Sequence, residues 1–168
     1  MVNYQNRVGI GFDVHKLVPN RKLIIGGVTI DYKLGALGHS DADVLIHAIA
    51  DALLGAAALG DIGQHFPDTD DKYKDLSGKA LLTEVTELLR VNSFYIVNVD
   101  STIILQSPKV SEYIPRMRMI ISKILQTDYD RVSIKATTTE KLGIIGKNQG
   151  IAAEAIVMVS KINSEKNN

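Results

Sequence analysis

The chain of 168 residues contains no cysteine, so disulfide bonds, thiolate metal ligands and cysteine nucleophiles are all excluded. Its 19 basic and 19 acidic residues cancel, and without net charge no general field draws the protein to nucleic acid or an anionic membrane. Long apolar runs are also missing, since the run around Ala56–Leu59 is far shorter than the roughly 20 residues that cross a bilayer. We therefore expect neither a membrane nor a nucleic acid as partner.

The N-terminal segment MVNYQNRVGIGFD has neither the apolar core of a signal peptide nor the Arg/Ser-rich composition of a transit peptide. A cytoplasmic location is the expectation that follows. The length suits one domain with its own hydrophobic core. We place this domain at residues 1–163 and expect residues 164–168 to form a frayed polar tail.

Hydrophobic periodicity predicts an α+β fold with a mixed β-sheet and helices on one face. Strands are expected at residues 7–12, 94–105, 131–136 and 151–160, and a hairpin is expected at residues 23–30 around Gly26-Gly27. Helices are expected from Ser40 to about Ala58, from Ser77 to about Val91 and over residues 115–125. Ser40 and Asp43 have the spacing of a capping box, and residues 60–75 are expected to form a loop.

The last strand indicates an oligomer. In IAAEAIVMVS, one side carries Ala153, Ala155, Val157 and Val159, and the other carries Ala152, Ile156 and Met158, so both sides are apolar except at Glu154. Three helices can cover only one face of such a small sheet, and further copies of the chain are the simplest cover for the other face. The alternative is a central strand in a monomer whose sheet is better covered.

Aspartate and histidine recur at spacings that suit a metal site. Asp13 and His15 are two residues apart and project to the same side of an extended strand. Asp43, His47 and Asp51 recur every four residues on a predicted helix that is otherwise mostly apolar. Buried titratable groups are costly unless compensated, and a divalent metal would compensate them. Nitrogen and oxygen ligands without thiolates suit zinc, while a salt-linked and hydrogen-bonded buried face is the alternative.

Two further groups of residues suggest recognition of an anion. His39 and Ser40 stand at the expected start of a helix, where free N–H groups favour phosphate, although Ser40 could be only the N-cap. Thr137, Thr138 and Thr139 follow a strand and could hold phosphate oxygens, with Glu140 as the ligand of a shared magnesium ion.

The turn-like segments Asp61-Ile62-Gly63 and Phe66–Asp70 carry carboxylates that could bind polyol hydroxyls or simply face solvent. No P-loop, GxGxxG or GxSxG motif is present. The residues by themselves therefore indicate a metal-assisted enzyme that acts on a phosphorylated polyol.

The chain also resembles a known family, the 2-C-methyl-D-erythritol 2,4-cyclodiphosphate synthases of the non-mevalonate isoprenoid pathway. The resemblance runs through GFDVH, IIGG, GHSDADVLIHAIADALLGAAALGDIG, FPDTD, NVDSTI, KATTTEKLG and GIAAEA, in this order and over nearly the whole chain. GHSDADVLIH and KATTTEKLG together are highly specific.

This resemblance implies a homotrimer with active sites between neighbouring subunits. It also implies a substrate, 4-diphosphocytidyl-2-C-methyl-D-erythritol 2-phosphate, whose 2-phosphate attacks the β-phosphorus, closes a cyclic diphosphate and expels CMP. Nucleophile and electrophile lie in one molecule, so positioning and charge neutralisation are required and a catalytic serine, cysteine or general base is not.

The resemblance assigns roles to individual positions. Asp13, His15 and His47 match the zinc ligands, and Glu140 matches the ligand of a magnesium or manganese ion that bridges the substrate diphosphate. His39 and Thr138 match groups that stabilise the transition state. The other matched positions are substrate contacts, counted together with Ser40: Asp61, Ile62, Gly63, Phe66, Pro67, Asp68, Thr69 and Asp70 for the methylerythritol end, and Leu105, Gln106, Ser107, Pro108, Lys109, Val110, Ser111, Thr137 and Thr139 for cytidine and diphosphate.

Three positions depart from the family. Many members have an aromatic residue, an arginine and an acid at the places of Ile144, Lys147 and Gln149, near a threefold axis whose cavity can hold an isoprenoid diphosphate. Ile144 and Lys147 remain the candidate contacts for that ligand, but an ammonium cannot grip a diphosphate bidentately as a guanidinium does. We therefore expect weak binding of an isoprenoid diphosphate, or none. Two other functions use the same residues: a metal-dependent phosphohydrolase with water as nucleophile, and a trimeric binding module without catalysis.

Overall fold

The computed structural model describes residues 3–67, 73 and 76–163. A five-stranded sheet is built from β1 (Asn3–Pro19), β4 (Leu34–Ala36), β5 (Phe94–Ile104), β6 (Val132–Thr137) and β7 (Gly150–Asn163), in the order β4-β1-β7-β5-β6. Strands β2 (Leu23–Ile25) and β3 (Val28–Ile30) form a separate hairpin. Neighbours in the main sheet are antiparallel except β5 and β6, which are parallel. The predicted α+β fold with a mixed sheet is confirmed.

The described part of the chain contains five α-helices, which alternate with the later strands: α1 (Val44–Ala57), α2 (Ile62–His65), α3 (Gly78–Val91), α4 (Ile114–Ile124) and α5 (Gly143–Gly146). Helices α1, α3 and α4 pack on one face of the sheet. None of the described helices combines the length and the apolar composition that a membrane crossing requires.

Two glycines bring α1 very close to strand β1. A Cβ atom on Gly9 would overlap the carbonyl oxygen of Ala52, and one on Gly11 would overlap that of Ala48. The helix therefore lies directly on the backbone of the strand, because neither surface carries a large side chain at the contact. This close packing places the side chains of α1 beside those of β1 just beyond Gly11.

The opposite face of the sheet is open in the single chain. Along β1, the side chains of Val8, Ile10, Phe12 and Val14 alternate with the glycines and are all exposed, and Ile156 of β7 lies opposite Ile10. Towards β5 and β6 the same face turns polar, with an ion pair between Lys135 and Asp100. Contiguous exposed apolar side chains of this kind are typical of a site of contact. We call these five apolar side chains the open-face patch.

Helix α1 begins at Val44, so the expected start at Ser40 and the capping box are wrong. Asp43 is the N-cap and accepts from the N–H of Ile46 at 3.2 Å, whereas the Ser40 hydroxyl accepts from the N–H of Ala42 at 3.1 Å. Ala42 has a positive φ of 52°, which interrupts the helix. The carboxylates of Asp41 and Asp43 accept backbone N–H groups of other segments, from Gly78 and from Gly26-Gly27, which favours a non-helical chain before Val44.

Other boundaries also differ from the expectation. Strand β1 continues to Pro19 and so includes His15, while β4, α2 and α5 were not predicted. Short elements of three or four residues carry too little periodicity to be recognised. The polar tail expected at residues 164–168 and the candidate contacts Asp68, Thr69 and Asp70 lie outside the described residues.

Replacing Asp43 by alanine should destabilise the fold. The buried Asp43 carboxylate also accepts from the N–H groups of Gly26 and Gly27, at 2.8 and 2.6 Å, and so joins the β2–β3 hairpin to α1. Burial raises the pKa of Asp43 to about 6, although the amide hydrogen bonds favour the ionised form and so lower the pKa. Losing an N-cap and leaving buried donors unpaired should cost about 3 kcal/mol. Thermal unfolding should then occur about 10 °C lower, with Asp31→Ala, a change of an exposed aspartate, as the control. An unchanged midpoint would contradict this role.

Candidate active site

Asp13, His15 and His47 converge in a group that could hold a metal ion. His15 Nε2 and His47 Nδ1 each lie 3.0 Å from Asp13 Oδ2 and 3.4 Å from each other. Three ligands of a tetrahedral zinc ion, each about 2.0–2.1 Å from the metal, would be about 3.3 Å apart. The observed triangle therefore has a size that would fit a zinc ion, and its three residues line the adjoining cleft.

The groups around the triad orient its ligand atoms. His15 Nδ1 lies 2.9 Å from the carbonyl oxygen of Leu37, which can only accept, so Nδ1 carries a proton and Nε2 is the nitrogen that would bind an ion. The other carboxylate oxygen of Asp13 accepts from the N–H of Val14 at 2.8 Å, and Oδ2 is the oxygen that faces the two imidazoles. Outer contacts of this kind are typical of metal-binding histidines and carboxylates.

The surroundings of the triad favour the charged forms of Asp13 and His47. Burial opposes ionisation of Asp13, but hydrogen bonds from His15 and His47 outweigh it and hold the pKa of that carboxyl well below its usual value. Burial likewise opposes protonation of His47, and the Asp13 carboxylate nevertheless raises the pKa of that imidazole. The carboxylate thus stays ionised, as a metal ligand must.

A cleft of about 460 Å³ opens beside the triad. Besides the three triad residues, it is lined by Gly38, His39, Ser40, Ile62, Gly63, Phe66, Pro67, Tyr73, Leu76 and Leu81. Six of the predicted site residues outside the triad therefore share one cavity with it. Gly38, Tyr73, Leu76 and Leu81 were missed. The available signals were the glycine before His39 and the apolar side chains in and just after the aspartate-rich segment.

Asp51 joins the triad helix to the turn at residues 61–63. Its Oδ1 accepts from the N–H of Ile62 at 2.8 Å, and burial raises the pKa of Asp51 although that N–H favours the ionised form. The Asp61 carboxylate accepts from the backbone and side-chain nitrogens of Gln64, both at 2.9 Å. Asp61 therefore caps α2, while Ile62 and Gly63 face the cleft.

The polar stripe predicted for α1 is thus divided among three tasks. Only His47 belongs to the triad, Asp43 caps α1, and Asp51 binds the Ile62 amide. The equal spacing predicts that the three side chains lie on one helix face. It does not predict which backbone donors from other segments lie near each side chain.

The predicted contacts near the ends of β5 and β6 form a second cluster. Thr138 Oγ1 donates to Glu140 Oε1 at 3.1 Å and accepts from the Glu140 N–H at 3.2 Å. Gln106 Oε1 accepts from the N–H of Lys141 at 3.0 Å, so the two predicted segments meet there. Glu140 and Lys141 both have positive φ. The side chains of Leu105 and Val110 are buried and leave only backbone groups for a ligand.

Within one chain this second cluster does not line the triad cleft. Val14 pairs with Ala152, Ala152 pairs with Ile104, and Ile104 pairs with Thr137. The two clusters therefore lie at the same end of the sheet but three strand spacings apart, or about 14 Å.

Ile144 and Lys147 lie at and just after α5. Ile144, which is exposed, lines a separate hollow of about 600 Å³ together with Val14, Lys16, Gln149 and others. Lys147 is exposed but does not line that hollow.

Comparison with known proteins adds independent findings. The YgbB family matches residues 6–160. The 2-C-methyl-D-erythritol 2,4-cyclodiphosphate synthase of Alkaliphilus oremlandii is 59% identical over 155 residues, which are 92% of this chain and 99% of the relative. The synthase of the same name from Lachnospira eligens is 58% identical over 94% of this chain and 86% of the relative.

Solved structures agree in fold. The bifunctional IspDF from Campylobacter jejuni superposes with a TM-score of 0.91 at 42% identity over 95% of this chain, which spans 43% of that longer protein. A CDP complex of IspF from Plasmodium falciparum superposes with a TM-score of 0.83 at 34% identity, covering 94% of this chain and 97% of that one.

Proposed function

The chain belongs to the YgbB family, and on that premise we propose that it is a 2-C-methyl-D-erythritol 2,4-cyclodiphosphate synthase. It would convert 4-diphosphocytidyl-2-C-methyl-D-erythritol 2-phosphate to the 2,4-cyclodiphosphate and CMP. An oxygen of the 2-phosphate bonds to the β-phosphorus, while the bond from that phosphorus to the oxygen bridging the α-phosphate breaks. The electron pair leaves with CMP, so no water is consumed. The observation that carries the proposal is the triad of Asp13, His15 and His47 at the side of a cleft lined by His39, Ile62 and Gly63.

Asp13, His15 and His47 would hold zinc, which supplies charge neutralisation at a phosphoryl oxygen when bound. Glu140 would hold magnesium or manganese at the substrate diphosphate. The Leu37 carbonyl and the Val14 N–H keep the ligand atoms of the triad in place.

The remaining residues of the cleft would position the substrate. Ile62 and Gly63, at the start of α2 that Asp51 holds through the Ile62 N–H, would contact the methylerythritol end, together with Asp61 and the segment Phe66–Asp70. Ser40 would contact the phosphate end. His39 from the cleft and Thr138 from the second cluster would stabilise charge that grows on the phosphoryl oxygens in the transition state.

A trimer would complete each site between two subunits. The second cluster, with Thr137–Glu140 and residues 105–111, would bind the cytidine and diphosphate of a substrate. The methylerythritol end of the same substrate would lie in the neighbouring chain's triad cleft. Two observations support this arrangement: the roughly 14 Å gap between the clusters within one chain, and the open-face patch on β1 and β7. We further propose that residues 1–163 form a single synthase domain, that the enzyme works in the cytoplasm, and that an isoprenoid diphosphate binds at most weakly near Ile144 and Lys147.

Turnover in ¹⁸O-labelled water tests the reaction directly. With the cytidylated substrate and a divalent ion, we expect cyclic diphosphate and CMP in equal amounts, both without label, as followed by mass spectrometry. Water takes no part in the ring closure, because the attacking oxygen already belongs to the substrate.

Heat-inactivated protein and substrate alone are the controls for spontaneous cyclisation. Label in a linear phosphorylated product would replace the proposal with a phosphohydrolase. Substrate binding without any product would leave a binding module.

A further inference from the structure

We propose, on the basis of the function above, that Arg21 is a positioning residue of the active site that holds the turn carrying His39. The starting observation is that His39 is exposed and its ring has no hydrogen-bond partner among the described residues. Its side chain therefore depends on the backbone of the turn for its position in the cleft. A group that stabilises a transition state must be held in place before the reaction.

The turn is anchored on one side by the strand of the metal triad. The Leu37 N–H donates to the Lys16 carbonyl at 2.8 Å, and the Leu37 carbonyl accepts from His15 Nδ1 at 2.9 Å. Beyond Leu37 the chain leaves β1, so a second anchor is needed to fix the direction of His39.

Arg21 supplies that second anchor. Its Nη2 donates to the Ser40 carbonyl at 2.9 Å, directly after His39. The backbone of Arg21 also lies against Gly35 of β4, where a Cβ would overlap the carbonyl oxygens of Arg21 and Lys22. One residue thus touches both ends of the segment Gly35–Ser40. Arg21 itself does not line the cleft, so it acts through His39 rather than on the substrate.

Arg21→Met removes the donor while it keeps the aliphatic stem that packs in the fold. We expect kcat for the cyclic product to fall about 10- to 100-fold, as small misplacements of a catalytic group do, with KM little changed. Metal content and thermal midpoint should stay native. Arg21→Lys, which can still donate to the Ser40 carbonyl, should restore most of the turnover. Lys22→Ala, which removes the adjacent exposed cation, should leave kcat unchanged.

A double-mutant cycle with His39→Ala decides whether the effect passes through His39. If it does, Arg21→Met should lower kcat no further in the His39→Ala background. The inference would be overturned if the kcat of the double variant fell by the product of the two single losses. A native kcat for Arg21→Met, or loss of metal from Arg21→Met, would also overturn it. A native protein that forms no cyclic product would instead refute the proposed function, so the two failures are distinguishable.

Discussion

Replacing His47 by alanine should give a folded protein that binds no metal and has no synthase activity. His47 Nδ1 is one corner of the triangle with Asp13 and His15, and the two remaining ligands cannot hold the ion in a tetrahedral site. Changes in groups that only orient a ligand typically lower metal affinity 10- to 100-fold. Removing a ligand itself should therefore lower metal affinity by more than about 100-fold. Metal analysis of the purified variant, beside its thermal midpoint and turnover, measures this.

His39→Ala is the matched control in the same cleft. It removes an imidazole that makes no hydrogen bond or ring contact with a triad residue among the described residues, so metal content should remain at about one ion per subunit while turnover falls. Full metal occupancy in purified His47→Ala would show that the triad is not the metal site. Equal metal loss in both variants would show that the cleft as a whole, rather than the triad, holds the ion.

Replacing Ile10 by aspartate should abolish assembly and activity together. Ile10 is 65% exposed in the single chain and lies opposite Ile156 across β1 and β7, at the middle of the open-face patch. A carboxylate buried there without a partner would cost several kcal/mol in each subunit. In the proposed trimer, folding would be coupled to assembly, so we expect aggregated or unfolded protein rather than an active monomer.

Val91→Asp is a matched control for Ile10→Asp. Val91, at the end of α3, is 68% exposed but lies away from the open-face patch, so its substitution should leave both assembly and turnover intact. Analytical ultracentrifugation at micromolar concentration distinguishes the states. A native protein that sediments as a monomer, or an Ile10→Asp variant that remains a fully active assembly, would contradict the trimer.

The sequence predicted the architecture and part of the site for physical reasons that are local. Period-two alternation placed Asp13 and His15 on one side of a strand, and the structure joins them as predicted. Gly26-Gly27 predicted the β2–β3 hairpin, which is confirmed with the expected bounds. These features depend on neighbours within a few residues, so they are visible in the sequence.

The start of α1 could not be predicted because it depends on distant donors. The N–H groups of Gly26 and Gly27 donate to the Asp43 carboxylate, and that of Gly78 donates to the Asp41 carboxylate. These bonds favour a non-helical backbone before Val44. The spacing Ser40-x-x-Asp43 is the same whether or not those donors are present.

The sequence by itself determined that β7 is apolar on both sides except at Glu154, that Asp13 and His15 project together, and that the chain carries the motifs of its family. Only the tertiary structure decided which side of β7 is covered: Val157 is buried beneath the helices, whereas Ile156 is half exposed. It also decided that Thr138 and Glu140 lie three strand spacings from the triad. Both outcomes follow from the order of strands in the sheet, which arises from pairing between distant segments and leaves no periodic trace in any one of them.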